Sequence, residues 1–332
     1  MIPWTSGGLI PLANCRSGRS STAWCSWHQT QLDPLRWLAG SYEPLVHRRR
    51  TTIVARWFVP LILLLCAALP KPAWSQTPSP LQEWQYPGGT ILEKLYDPNL
   101  EQWRVVLGGA VVSMPRYDGG LAYRVTPAPV IVILYRDLAF ASVGEGIGLN
   151  LLRGEKYNAG VSVGYDLGRP MSDDYRHLHG LGDISAAPVV KLFGSYVVSK
   201  AFPLVLRADA RRVVGGADGL LGDLEAFMPL PGSCEKYVLF AGPSITLANR
   251  QYTRKVFGVS AAQAADSSYG VYDAHGGNMA VGLGFSASRF ITAHWLVNAD
   301  LAWNRLRGSA ADSPITQTRV QGVVEFSTAY RW

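Results

Sequence analysis

The stretch "WLVNADLAWN", residues 295–304, separates into two sets when read in steps of two. Trp295, Val297, Ala299, Leu301 and Trp303 form one; Leu296, Asn298, Asp300, Ala302 and Asn304 form the other. Successive side chains of a strand point to opposite faces, so this segment has one apolar face and one largely polar face. "MAVGLGFSAS" likewise sets Met279, Val281, Leu283, Phe285 and Ala287 against mostly Gly and Ser. "YNAGVSVGYDL" sets Ala159, Val161, Val163, Tyr165 and Leu167 against Gly160, Ser162, Gly164 and Asp166. In 202–213, Arg207, Asp209 and Arg211 lie opposite Leu204, Leu206 and Ala208. The closing "VVEFSTAYRW" puts Val324, Phe326, Thr328, Tyr330 and Trp332 on one face and Val323, Glu325, Ser327, Ala329 and Arg331 on the other.

Carried along the chain, the pattern predicts eleven strands: 103–114, 124–136, 138–152, 157–168, 185–199, 202–213, 219–230, 237–248, 279–289, 294–305 and 319–332. Most are longer than the five or six residues of an ordinary strand and suit a bilayer crossing. Short turns at 199–202 and 289–294 alternate with long polar segments at 169–183, 249–278 and 306–318. That is the asymmetry of an outer-membrane barrel, with the C-terminus on the short-turn, periplasmic side. Such barrels have even strand numbers. Either 90–96 is a twelfth strand, or one strand near 124–152 is false and the count is ten. Pro127 and Pro129 make 124–136 the suspect, because Pro cannot donate to a ladder. The expected fold is all-β: a transmembrane antiparallel up-and-down barrel of about 12 strands, with ten as the alternative.

On this reading Arg207, Asp209, Arg211, Asp223, Glu225, Asp300 and Glu325 face the lumen. Trp295, Trp303, Tyr330 and Trp332 anchor the barrel at the membrane interface. Trp295 and Trp303 stand eight residues apart, about 27 Å along a strand and roughly 20 Å vertically at a tilt of about 40°. That approaches the spacing of the aromatic girdles flanking an apolar band.

Composition agrees: 48% of residues are hydrophobic and 17% charged, few charges for a soluble globular protein. The segment Val46–Gln76, "VHRRRTTIVARWFVPLILLLCAALPKPAWSQ", has a basic start, an apolar run Trp57–Leu69 and small residues at Ala73 and Ser75. This is the order of a secretory signal peptide cleaved near Ser75/Gln76, its apolar run too short for a spanning helix. The expected organisation is 1–45 as an over-extended start without a fold, 46–75 as signal peptide, 76–102 as a periplasmic lead-in and 103–332 as barrel. Eight of the 31 bases and two of the 24 acids precede residue 76, so the exported part is close to neutral. A nucleic-acid partner loses its electrostatic basis. Of Cys15, Cys25, Cys66 and Cys234 only Cys234 remains, which forms no internal disulfide.

Several stretches resemble the MltA-interacting protein family (MipA/OmpV) of Gram-negative outer membranes. They are "GIGLNLL" (Gly146–Leu152), "RHLHGLGDI" (Arg176–Ile184), "GGADGLLGDL" (Gly215–Leu224), "YTRKVFGVSAAQAA" (Tyr252–Ala265), "YGVYDAHGG" (Tyr269–Gly277) and "LRGSAADSPITQ" (Leu306–Gln317). Their order and spacing hold over roughly Trp103–Trp332. "YDGGLAYR" (Tyr117–Arg124) departs from the family's more acidic first loop, and the lead-in is longer. The resemblance implies an outer-membrane barrel that holds a lytic transglycosylase and a murein synthase together; other members are described as porin-like or as adhesins. Likeness to outer-membrane proteins in general implies that the aromatic last strand is read by the barrel-insertion machinery.

Other chemistry is weaker. His177 and His179 with Asp173, Asp174 and Asp183 look like a metal set but read as a solvated loop. Ser313 beside Asp312, with His275 and His294 elsewhere, lacks a strained nucleophile turn and reads as a Pro-fixed turn. "GEGIGLNL" lacks the helix a dinucleotide loop requires. The expectation is a scaffold, with a passive channel or adhesin as the alternative and an enzyme more distant; neither cofactor nor metal is called for.

Overall fold

The computed structural model describes residues 89–96, 100–231, 233 and 237–332. The expected start, signal peptide and cleavage point, and Cys234, lie outside the described residues.

Twelve antiparallel strands close into one barrel in which each pairs with its sequence neighbours and β1 pairs with β12. They are β1 (Trp103–Pro115), β2 (Tyr123–Tyr135), β3 (Ala139–Ser142), β4 (Gly146–Arg153), β5 (Tyr157–Asp166), β6 (Ala187–Val197), β7 (Val205–Val213), β8 (Gly219–Pro229), β9 (Tyr237–Ala248), β10 (Gly277–Phe290), β11 (Trp295–Leu306) and β12 (Val320–Arg331). The described residues begin with α1 (Gly89–Tyr96). The long connections carry α2 (Tyr175–Leu178), α3 (Arg250–Phe257), α4 (Ala261–Asp266) and α5 (Gly308–Ala311).

Alternation decides the two faces. Along β7 every second residue from Val205 to Val213 is buried, while Leu206, Ala208 and Ala210 are exposed. Leu192, Leu224, Leu283, Leu301 and Phe326 stand outward in the same way, large apolar side chains that lipid covers favourably. No edge is left over for aggregation at the β1–β12 seam, where Val106 to Ser113 pair with Arg331 to Val324.

The twelfth strand is not where the sequence suggested. Residues 90–96 are helical, a correction with a physical reason: Ile91, Leu92 and Leu95 fall on one helical face, and a run this short is ambiguous between the two periods. The expected strand 138–152 is instead two, β3 and β4, folded back at Val143–Glu145. Gly146 at the fold-back has φ +76, and an added Cβ would collide with the Val163 carbonyl. The suspect β2 is present, with Pro127 and Pro129 within it.

Candidate functional site

Inside the barrel the described side chains form three layers. At the end holding both Trp103 and Trp332, α1 lies inside the barrel. Its Ile91, Leu92 and Leu95 pack against the inward Val197, Val205, Phe227 and Ala302, with Phe240 and Val323 alongside. Phe227 and Phe240 meet edge to face at 6.3 Å. Lys94 ties the helix to Asp137 in the β2–β3 turn, and Arg153 reaches the same carboxylate at 3.4 Å. Burial raises the Asp137 pKa, but Lys94 and Arg153 outweigh it and hold the carboxyl below its usual value.

The middle layer is ionic. Glu145, at the β3–β4 tip, reaches across to Arg207 on β7 at 3.0 Å and Lys191 on β6 at 3.3 Å. Arg207 also lies over the Phe193 ring at 5.3 Å and contacts Ser195 at 3.4 Å. Arg211 bridges Asp209 at 3.3 Å and pairs with Asp223, whose other oxygen accepts from Thr246 at 2.6 Å. Asp300 accepts from Asn298. Opposite charges meet in these pairs, which lowers the cost of burying them away from water. Arg207, Asp209, Arg211, Asp223, Glu225, Asp300 and Glu325 are all between 2% and 8% exposed. Glu145 and Lys191 escaped the sequence reading because a hairpin tip has no strand parity to read and a lone Lys carries no pattern.

The outer layer is a cap built by the long connections. Tyr117, Leu178, Leu181, Val259 and Ile315, drawn from four different connections, form one buried cluster. A larger one joins Ile184, Val213, Tyr252, Phe257, Met279 and Leu306 beneath it. Polar ties hold the connections together. The Gln321 side chain accepts from Gly119 N–H at 2.9 Å and donates to the Gly120 carbonyl at 2.9 Å. Arg169 donates to the Val256 carbonyl at 2.9 Å, and Tyr272 to that of Ser309 at 2.9 Å. Burial pushes the Tyr117 hydroxyl up to about 12, against the Gln317 hydrogen bond that lowers it. Burial also raises Asp173, opposed by Arg124, Arg116 and Arg169.

The residues weighed for metal or triad chemistry take ordinary places in this cap. His177 Nδ1 lies 2.9 Å from Asp174, His179 packs edge-on to Tyr175, and Asp183 accepts from Met171 N–H at 2.6 Å. Ser313 donates to the Phe257 carbonyl at 2.6 Å. His294 is at the opposite end of the barrel, stacked on Tyr330.

Outside, aromatic side chains gather at two levels. Trp103 meets Tyr135 at 4.7 Å, Trp295 meets Tyr330 at 5.3 Å, and Tyr330 meets Trp332 at 4.5 Å, all at the short-turn end with Tyr157 and Tyr196. Trp303, Tyr123 and Tyr165 stand towards the cap.

Among solved structures, the outer-membrane expressed OmpT of Vibrio cholerae is similar at 8% identity over 69% of this chain and 97% of that one, with a TM-score of 0.32. The Pseudomonas putida toluene transporter TodX is 12% identical over 74% and 93%, with a TM-score of 0.33. The anion-selective porin from Comamonas acidovorans is 9% identical over 69% and 98%, with a TM-score of 0.29. Likeness at this level carries nothing about function. No curated protein matches the chain. The family model described as MltA-interacting protein MipA matches residues 107–332.

Proposed function

The chain belongs to the MltA-interacting protein MipA family, and on that premise we propose that it is an outer-membrane scaffold, not a conduit. The name of the family points to the lytic transglycosylase MltA as one partner; a murein synthase is the second, so that bond cleavage and bond formation in peptidoglycan are held together. The observation that carries this reading is the filled interior. Helix α1, the Glu145 network and the cap leave the barrel's outer surfaces as the place for function. Those facing peptidoglycan are the short turns, where, among the described residues, Arg136, Arg153, Lys156, Lys200, Arg289 and Arg331 outnumber Glu101, Asp137 and Glu155. The excess of base favours acidic surfaces on a docked enzyme.

In this proposal the chain is exported and cleaved near Ser75/Gln76, and Trp295, Trp303, Tyr330 and Trp332 sit at the two membrane interfaces. The inward charges named above brace the wall. Co-sedimentation tests the scaffold reading: the folded barrel in lipid vesicles is spun down with a purified lytic transglycosylase. Retention that weakens as salt rises supports it. No retention at low salt would refute it.

A further inference from the structure

The wall of the barrel has a slot. β3 holds four residues and β2 thirteen, so β2 is paired with β3 only over Val132–Tyr135. On the other side β4 pairs with β5 only up to Val163. Above the β3–β4 tip, the half of β2 from Tyr123 to Ile131 and the end of β5 from Gly164 to Asp166 face each other with no strand between them. At the tip two strands separate β2 from β5, a span of about 14 Å at the usual strand spacing. Arg124 of β2 closes the top, 3.3 Å from Asp173 in the β5–β6 connection.

The backbone of the slot's edges can be read from the ladder. In an antiparallel strand alternate residues turn their N–H and C=O to opposite neighbours. The Ile131 carbonyl accepts from Val143 N–H at 3.3 Å, on the β3 side, whereas Arg136 N–H donates towards β1 at Gln102. Val125, Pro127 and Pro129 share the parity of Ile131 and therefore turn their carbonyls into the slot. Both prolines stand where an N–H would have pointed into it. Tyr123 shares this parity as well, so N–H groups remain at the ends of the edge, at Tyr123, Val125 and Ile131, whereas from Pro127 to Pro129 it accepts hydrogen bonds and offers no donor. Among the described residues no backbone N–H donates to the Val125, Pro127 and Pro129 carbonyls from the slot side. A second strand would bring its own carbonyls against proline rings, so strand addition is blocked. Yet a bare carbonyl facing lipid is costly. At Pro127 and Pro129 the occupant must bring donors that no strand would supply there, and it must tolerate the outward Val125, Ile131, Val143, Ile147, Val163 and Tyr165, all well exposed.

We infer that the slot binds one lipid of the surrounding leaflet whose head group carries N–H or O–H donors. The head group enters beneath the rim residue Tyr123 and donates to Val125 and Pro127. The acyl chain runs down over Pro129, Ile131 and Val163 to the hairpin tip. This site does not depend on any partner enzyme.

The folded barrel is incorporated into vesicles holding equal amounts of phosphatidylethanolamine and phosphatidylcholine with the same chains, which differ in that only the first has ammonium N–H donors. Native mass spectrometry of the released protein reads which lipid stays bound. One molecule of phosphatidylethanolamine is expected, preferred by about fivefold, the equilibrium value of one net hydrogen bond. Filling the slot with Val163→Trp or Val125→Trp removes the preference, whereas Leu192→Trp, on the unbroken wall, leaves it. The heat-shifted electrophoretic band of each variant reports folding, and two filling variants guard against misfolding of one. Equal retention of both lipids by the natural chain overturns the inference, as does a preference that survives both folded filling variants.

Discussion

Glu145 and Arg207 meet at 3.0 Å although they are 62 residues apart, one at the tip of the shortest hairpin and one on the wall it faces. Both side chains are almost wholly buried, and Lys191 shares the same carboxylate. A buried carboxylate serving two cations is expensive to remove, because the cations stay behind.

Glu145→Ala therefore costs about 3–5 kcal/mol of folding stability, while replacing Arg207 in addition costs less than the sum of the two. Urea unfolding in lipid vesicles, followed by tryptophan fluorescence, measures the cycle. Strict additivity would remove Glu145 from the network.

Leu92 is fully buried at the inner end of the barrel. Leu92→Ala weakens the seating of α1 by about 2–5 kcal/mol, the usual cost of such a cavity, without opening the β-ladders. Protease cleavage near α1 speeds up while the heat-shifted band is retained. Unchanged cleavage would mean that α1 does not rest on this contact.

The Lys94–Asp137 tie has a pH signature. Asp137 is held below its unfolded value, so its contribution is complete above the ordinary carboxylate range, near 4, and is lost as pH falls through the lower folded pKa. The distance between spin labels on α1 and β8 is constant from pH 8 to about 5 and broadens in stronger acid. Asp137→Asn broadens it already at neutral pH.

Lipid against the outer face makes charge there costly. Leu224→Arg, on the outward face of β8, destabilises the barrel by about 2–4 kcal/mol in vesicles. Arg in place of the exposed Val271, in the cap, costs under about 0.5 kcal/mol. Comparable losses at both positions would deny that Leu224 faces hydrocarbon.

Much of this was legible in the sequence because a barrel wall obeys one rule, alternation. Trp295 to Asn304 declares both faces of β11 without help from any other residue. The stretches resembling the family, such as Arg176–Ile184, Tyr252–Ala265 and Leu306–Gln317, turn out to meet in the cap, where Leu178, Val259 and Ile315 form one cluster. That meeting was invisible, since cap packing has no period. Helix α1 was misread because Ile91 and Leu95 suit either period over so few residues. The prolines of β2 were read as evidence against a strand; they mark a strand with one open edge, which Pro tolerates. Glu145 could not be foreseen at all, because only the short β3 carries it into the interior.

The central claim is that the interior is closed, and a planar lipid bilayer tests it most directly. The purified barrel, inserted at neutral pH in molar potassium chloride, should show no steady ohmic current. Discrete, long-lived conductance steps from the natural chain would contradict it and return the protein to the channels.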